Sequence, residues 1–168
     1  MPDPVLHTER LTLRPLTAQL AQTLLSTPSV EFPTADDVLV LQGVVASGSD
    51  AHSVHVLEQQ GRAIGTAGIA GGLSPDGDQE LGYGLVPDAR GQGLGTEAVG
   101  ALCAYLEQAP GVLRLTAEVL PGNASSLRLL RRLGFVEVPG GTGGRQLLAR
   151  AAPGQPVVRV RIAGKHVC

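Results

Sequence analysis

Arg90-Gly91-Gln92-Gly93-Leu94-Gly95-Thr96 is the stretch on which the reading of the fold turns. Glycines at alternate positions lead into Leu94, Ala98, Ala101, Leu102 and Tyr105, which recur at helical spacing. The stretch predicts a tight turn opening a helix near Leu94. Such a turn presents unpaired backbone N–H groups at the positive end of the helix dipole, a device suited to a diphosphate. Glycine is required there because side chains would hold the phosphates away from the amides. A dinucleotide would want a sixth-position glycine directly after a strand, but Thr96 stands there and Pro87-Asp88-Ala89-Arg90 intervene. Glu118 imitates the acidic ribose ligand of that motif, although it lies 27 residues after Gly91. The plainer alternative is a helix start that is merely rich in glycine.

Working outward, Gln79 to Val86 reads as a strand, and the helix from Leu94 stops at Pro110-Gly111. Val112 to Val119 is a strand broken by Pro121-Gly122-Asn123. Asn123 is placed to cap a helix with Leu127, Leu130 and Leu133 on one face and Arg128, Arg131 and Arg132 off it. Gly134 closes that helix, and Phe135 to Val138 begins another strand. Upstream, Arg10 to Arg14 alternates as a first strand, and Thr17–Leu25 and Asp36–Val45 read as helices. The stretch between those helices, with Pro28 and Pro33, is a loop. Ser53–Glu58 and Ala63–Ile69 form a hairpin around Gln60-Gly61, followed by a loop over 71–78. Beyond the 139–144 loop, Gln146–Ala149 and Val157–Ile162 compete for the last strand, and the second has the better β composition. The order is β-α-α-β-β-β-α-β-α-β, an α+β fold with a mixed sheet. Residues 1–138 are expected to form the main domain and 139–168 to complete it.

The 168 residues, 43% of them hydrophobic and 17% charged, suit a packed domain rather than disorder. With 2% aromatics and no Trp, a pocket of stacked rings is not expected. A net charge of -2 points to neither nucleic acid nor an anionic membrane. Cys103 and Cys168 make no disulfide framework, and Cys103 reads as a small buried hydrophobe. No secretory leader follows Met1, and no apolar run reaches the ~18 residues of a membrane span, so a cytoplasmic protein is expected. His7, His52, His55 and His166 lack metal-ligand spacing, so no metal is expected.

Arg90-Gly91-Gln92-Gly93-Leu94-Gly95 resembles the R/Q-x-x-G-x-G/A signature of the GNAT superfamily of acyl-CoA N-acyltransferases. Leu81-Gly82-Tyr83-Gly84-Leu85-Val86-Pro87 is similar to the superfamily's fourth strand. Three further segments resemble its ribosomal-protein alanine/serine N-acetyltransferase branch: Thr8-Glu9-Arg10-Leu11-Thr12-Leu13-Arg14-Pro15-Leu16, Thr96-Glu97-Ala98, and Asn123-x-x-Ser126 ending in Leu133-Gly134-Phe135. The resemblance covers roughly residues 8 to 138.

It implies a mixed central sheet with helices on both faces, whose fourth and fifth strands splay apart around the pantetheine arm of acetyl-CoA. Tyr83, Leu85 and Val86 would then face the thioester end. Arg90, Gly91, Gln92, Gly93, Leu94, Gly95 and Thr96 would wrap the pyrophosphate, and Asn123 and Ser126 would meet the cofactor arm. Gly82 and Gly84 suit a bulge or a close backbone approach. The implied reaction is acetyl transfer to a primary amine, of a small molecule or of a peptide N-terminus, by direct attack in a ternary complex. A homodimer is compatible with this reading. A CoA-binding protein without turnover is the alternative.

Such a reaction needs a base for the amine, a donor for the oxyanion, and relief for the leaving thiolate. Glu118, five residues before Asn123, is the first candidate base, and Glu80 at the start of the 79–86 strand is the second. Either could instead be a solvated strand-end charge, and Asn123 a plain cap. Many relatives carry a tyrosine acid seven residues after the asparagine, where this chain has Leu130. Tyr83 and Tyr105 do not match that position, and Ser126 is the nearest substitute. Arg128, Arg131 and Arg132 could meet the 3′-phosphate of CoA or form a solvated face. Arg159, Arg161 and Lys165 give the tail a basic edge.

Overall fold

A computed structural model describes residues 3–155. The described chain divides into two compact units, residues 3–69 with 83–102 and residues 70–82 with 103–155.

The first unit is built on a run of antiparallel neighbours: β1 (Leu6–His7), β2 (Thr12–Pro15), β3 (Val54–Gln59) and β4 (Arg62–Ile69). Alternation along β2 sends Leu11 and Leu13 inward, where they are buried with Leu16, Val56, Leu57 and Ile64. The β3–β4 hairpin turns at Gln60 and Gly61, both at positive φ (50° and 77°), the geometry whose twist matches paired strands. Helix α1 (Ala18–Ser26) starts at Thr17, whose hydroxyl accepts the Leu20 N–H. Helix α2 (Ala35–Ser47) starts at a capping box between Thr34 and Asp37. Asp37 is buried and also accepts from Thr66 Oγ1 at 2.7 Å, which ties α2 to β4.

In the second unit, β5 (Asp78–Leu85) opens parallel to β6 (Arg114–Val119). Strand β8 (Gln146–Ala151) pairs antiparallel with both β6 and β7 (Val136–Val138), so this sheet is mixed. Helix α4 (Ala124–Arg132) buries Leu130 with Phe135 and Leu148. Two elements belong to both units: β5, which changes unit after Gly82, and α3 (Leu94–Leu106), which changes after Leu102. On α3, Leu94, Ala98 and Leu102 are buried at the expected spacing, joined by Val99, Cys103 and Leu106. Burial pushes the Cys103 thiol up to about 12, so it behaves as the inert small hydrophobe its position suggests.

Two expectations are corrected. A two-residue strand, β1, precedes the one expected first, and it is too short to show alternation. Gln146–Ala151 is a strand despite its weaker β composition, because pairing on both sides outweighs propensity; the competing Val157–Ile162 lies outside the described residues, as do Arg159, Arg161 and Lys165. The backbone of Gly84 is closely approached from the neighbouring strand, by Gly65. A Cβ on Gly65 would lie 2.0 Å from the Gly84 carbonyl oxygen, whereas one on Gly82 or Gly84 meets nothing within 4 Å. Gly65→Ala should therefore destabilise the protein by about 1–3 kcal/mol, the usual cost of overpacking. Urea unfolding reads this directly, and a shift below about 0.5 kcal/mol would contradict the close contact.

Candidate active site

The glycine turn lies in the first unit and is fixed from behind by side chains. After β5 the Val86 N–H donates to the Ile64 carbonyl at 2.9 Å, and Pro87–Ala89 form a 3-10 turn. Arg90 Nε donates back to the Leu85 carbonyl (2.9 Å), and Gln92 Nε2 to the Asp88 carbonyl (2.8 Å). Asp88 is itself held by Arg62, which also bonds Glu31. Gly91 and Gly93 stand at φ 74° and 78°, a region that favours glycine. Left- and right-handed residues in succession turn neighbouring N–H groups to one side, making an anion-binding concavity. The N–H groups of Gly91, Gln92 and Gly93 donate to nothing among the described residues. Leu94 and Gly95 are buried and Thr96 half-buried, so α3 begins as an anchored helix end.

A second set of contacts reaches this turn from the opening of the chain. Arg10 Nη1 donates to the Gln92 carbonyl at 2.8 Å, and Arg10 Nε donates to Glu97 Oε2 at 2.7 Å. Glu97 Oε1 accepts from the Arg10 backbone N–H (2.7 Å) and from Thr8 Oγ1 (2.5 Å). Burial pushes the Glu97 carboxyl up, but these hydrogen bonds and the guanidinium outweigh it and hold the group below its ordinary value. Thr8, Arg10 and Glu97 stand in the quoted motifs, yet nothing local shows that they meet.

In the second unit the β5/β6 ladder runs through Asp78–Arg114, Gln79–Leu115 and Glu80–Thr116 and pairs no further, although both strands continue. Leu81 is buried beyond that point; past Gly82, where the strand belongs to the first unit, Tyr83 and Leu85 are half-buried and Val86 is buried. Glu80 stands at the last paired position. Glu118 lies two residues past Thr116, on the same face, because side chains alternate. The two carboxylates feel one another. Burial first and the Glu118 charge second push Glu80 above the usual glutamate value, against the pull of Arg145. The Glu80 carboxylate has no hydrogen bond or ion pair among the described residues. Glu118 is engaged: Thr142 Oγ1 donates to its two oxygens at 3.1 and 2.9 Å, and the Thr142 N–H to Oε1 at 3.3 Å.

Asn123 caps α4 as expected, its Oδ1 accepting from the Ser126 N–H (3.2 Å) and Ser125 Oγ (3.1 Å). Its Nδ2 group has no acceptor among the described residues. Ser126 is half-buried, and Leu130 is fully buried at 0% exposure. Arg128, Arg131 and Arg132 are exposed, with Arg131 at 3.9 Å from Glu137. Among the described residues no cluster of His, Cys, Asp or Glu could hold a metal ion, and no helix is long and apolar enough to cross a membrane.

Residues 10–136 match the acetyltransferase (GNAT) domain family. The chain is 28% identical over 144 residues to the uncharacterised N-acetyltransferase p20 of Bacillus licheniformis, covering 77% of this chain and 81% of that one. Its structure is similar to that of an acetyltransferase from Agrobacterium tumefaciens (TM-score 0.65, 25% identity, 89% and 95% of the two chains). It shares its fold with RimL, a ribosomal L7/L12 alpha-N-protein acetyltransferase solved with coenzyme A (TM-score 0.60, 19% identity, 88% and 96%). With a glycine turn at the start of α3, a β5/β6 ladder that ends at Glu80 and a family match over residues 10–136, this chain belongs to the GNAT acetyltransferases.

Proposed function

We propose that the protein transfers the acetyl group of acetyl-CoA to a primary amine, by direct attack and without a covalent enzyme intermediate. The observation that carries this reading is the ladder that stops at Glu80 and Thr116, leaving the β6-facing edge of β5 beyond Glu80 to be paired by another chain-like group. The pantetheine arm of CoA has amide donors and acceptors suited to that role. Tyr83, Leu85 and Val86 would offer it backbone groups. Arg90 to Thr96 would take the diphosphate on their amides, and the Asn123 Nδ2 group would donate to the arm. Strand β8, past residue 138, pairs with β6 and β7, so residues 139–151 are taken as part of the same acetyltransferase domain.

In the proposed step the neutral amine nitrogen attacks the thioester carbonyl, and a tetrahedral oxyanion forms. Its collapse breaks the C–S bond and releases CoA thiolate, while the amine loses its proton to a carboxylate. Glu80 fits that task better than Glu118. Its raised proton affinity brings it nearer an amine's requirement, and no protein donor occupies its oxygens. Glu118 is tied to Thr142 and is assigned to holding the 140–145 loop and keeping negative charge beside Glu80. The acceptor is proposed to be an N-terminal peptide amine, on the branch resemblance of residues 8–16 and 123–135.

Thiol release from acetyl-CoA in the presence of small amines and of peptides beginning with alanine or serine tests the activity and its acceptor together. The second reading, CoA binding without turnover, is favoured by Leu130 at the tyrosine position. It would give stabilisation by CoA with no thiol release against any amine.

The thiolate is expected to leave without a dedicated protein acid. A thiol pKa of about 8.5 makes it a good leaving group near neutrality, and one hydrogen bond is worth about 0.5–1.5 kcal/mol. Ser126→Ala should lower kcat no more than about tenfold. Leu130→Tyr should lower the melting temperature without raising the rate, because Leu130 is fully buried and the larger ring has no room. A thousandfold loss of kcat in Ser126→Ala, with CoA affinity intact, would show that Ser126 is an acid.

A further inference from the structure

We propose that Arg10 and Glu97 are positioning residues that aim the Gly93 amide at the CoA diphosphate. In a planar trans peptide the carbonyl of one residue and the N–H of the next point in opposite directions. The Gln92–Gly93 bond is trans, as the only cis bond among the described residues is Phe32–Pro33. The side chain that fixes where the Gln92 carbonyl points therefore fixes where the Gly93 N–H points. Arg10 Nη1 does this at 2.8 Å, from the face opposite the amide. Arg10 is placed in turn by Glu97, which accepts from both its backbone N–H and its Nε, and Thr8 locks the same carboxylate. The guanidinium also packs against the turn, since a Cβ on Gly93 would meet Arg10 Nη2 at 3.4 Å. Glycine gives the turn its shape and equally lets its peptides rotate, and this brace removes that freedom before the ligand arrives.

The inference rests on the reading of residues 90–96 as a diphosphate site, and its test separates the two. Simple charge attraction and positioning predict opposite signs for Glu97→Ala. Removing a negative charge beside a polyanion site should tighten CoA binding, whereas releasing Arg10 should weaken it. We expect calorimetry to show CoA affinity lowered on the order of tenfold or more in both Arg10→Met and Glu97→Ala. Stabilisation by pantetheine, which lacks the diphosphate, should be unchanged in both. Glu97→Gln keeps one acceptor for Arg10 and should fall between, which serves if the alanine variant folds poorly. Equal losses for CoA and pantetheine would reduce the pair to a general structural role and overturn the proposal. Unchanged or tighter CoA binding in both variants, with binding lost in Gly93→Val, would overturn it while leaving the diphosphate site standing. Unchanged CoA binding in all of these, Gly93→Val included, would remove the site and the proposal together.

Discussion

Gly93→Val is expected to abolish CoA binding, with at least a hundredfold loss of affinity, while the protein stays folded. Gly93 stands at φ 78°, where a β-branched residue is a strong outlier, and holding such a conformation costs on the order of 1–3 kcal/mol. The new Cβ also comes into contact with Arg10 Nη2, at 3.4 Å. The least costly response is to rotate the turn, which swings the Gln92, Gly93 and Leu94 amides off the diphosphate. Two charge-assisted hydrogen bonds at about 1.5–3 kcal/mol each already exceed a hundredfold in affinity. Gly93 is exposed, so its rotation leaves the core untouched. Circular dichroism should match the parent, and calorimetry should show no CoA heat at concentrations that saturate the parent. A variant that binds CoA as the parent does would refute the assignment of this turn.

Glu80→Gln should lower kcat/KM by about 10²–10⁴-fold, the usual contribution of a general base, and Glu118→Gln should lower it far less. The raised proton affinity of Glu80 sets the pH dependence. The carboxylate that takes the proton is populated only above its pKa, so activity should fall with decreasing pH at a value above that of an ordinary glutamate. Stability moves the other way. A folded pKa above the unfolded one means that the contribution of Glu80 is fully present below the unfolded value. It is lost as pH rises through the folded value. At neutral pH the charged side chain is a burden, so Glu80→Gln should melt no lower than the parent while losing activity. The pH–rate profile and the melting curve decide this jointly. A parent-like acid limb in Glu80→Gln would pass the proton to Glu118 or to water.

The legible parts of the sequence were those whose cause is local. Gln60-Gly61 turned the hairpin because a type I′ two-residue turn takes positive φ at both positions, and Asn123 capped a helix because its side chain reaches three residues along. The glycine turn and α3 were read from one contiguous stretch. What escaped depends on distant partners. Glu97 is an ordinary first-turn glutamate until Arg10, 87 residues away, is brought to it. Gly65 looks like any strand glycine until the Gly84 carbonyl closes on it. Spacing from Asn123 put Glu118 ahead of Glu80, but spacing carries no sign of Thr142, which occupies the Glu118 oxygens.

The division of β5 and α3 between the two units bears on how the chain folds during synthesis. Strands β1 to β4 are complete at residue 69, yet the groups that cover β4 and brace the opening segment are Gly84, Val86 and Glu97. At about 5–20 residues per second, the 28 residues from Ile69 to Glu97 take about 1–6 s to emerge. For that interval the nascent protein carries an open strand edge, a template for pairing with other chains. Gly65 and Gly68 leave part of β4 without side chains to pack against such a partner. The order of the genetic text thus exposes the region that later holds the glycine turn in place, and a translational pause near residue 70 would be expected to raise aggregation of the newborn chain.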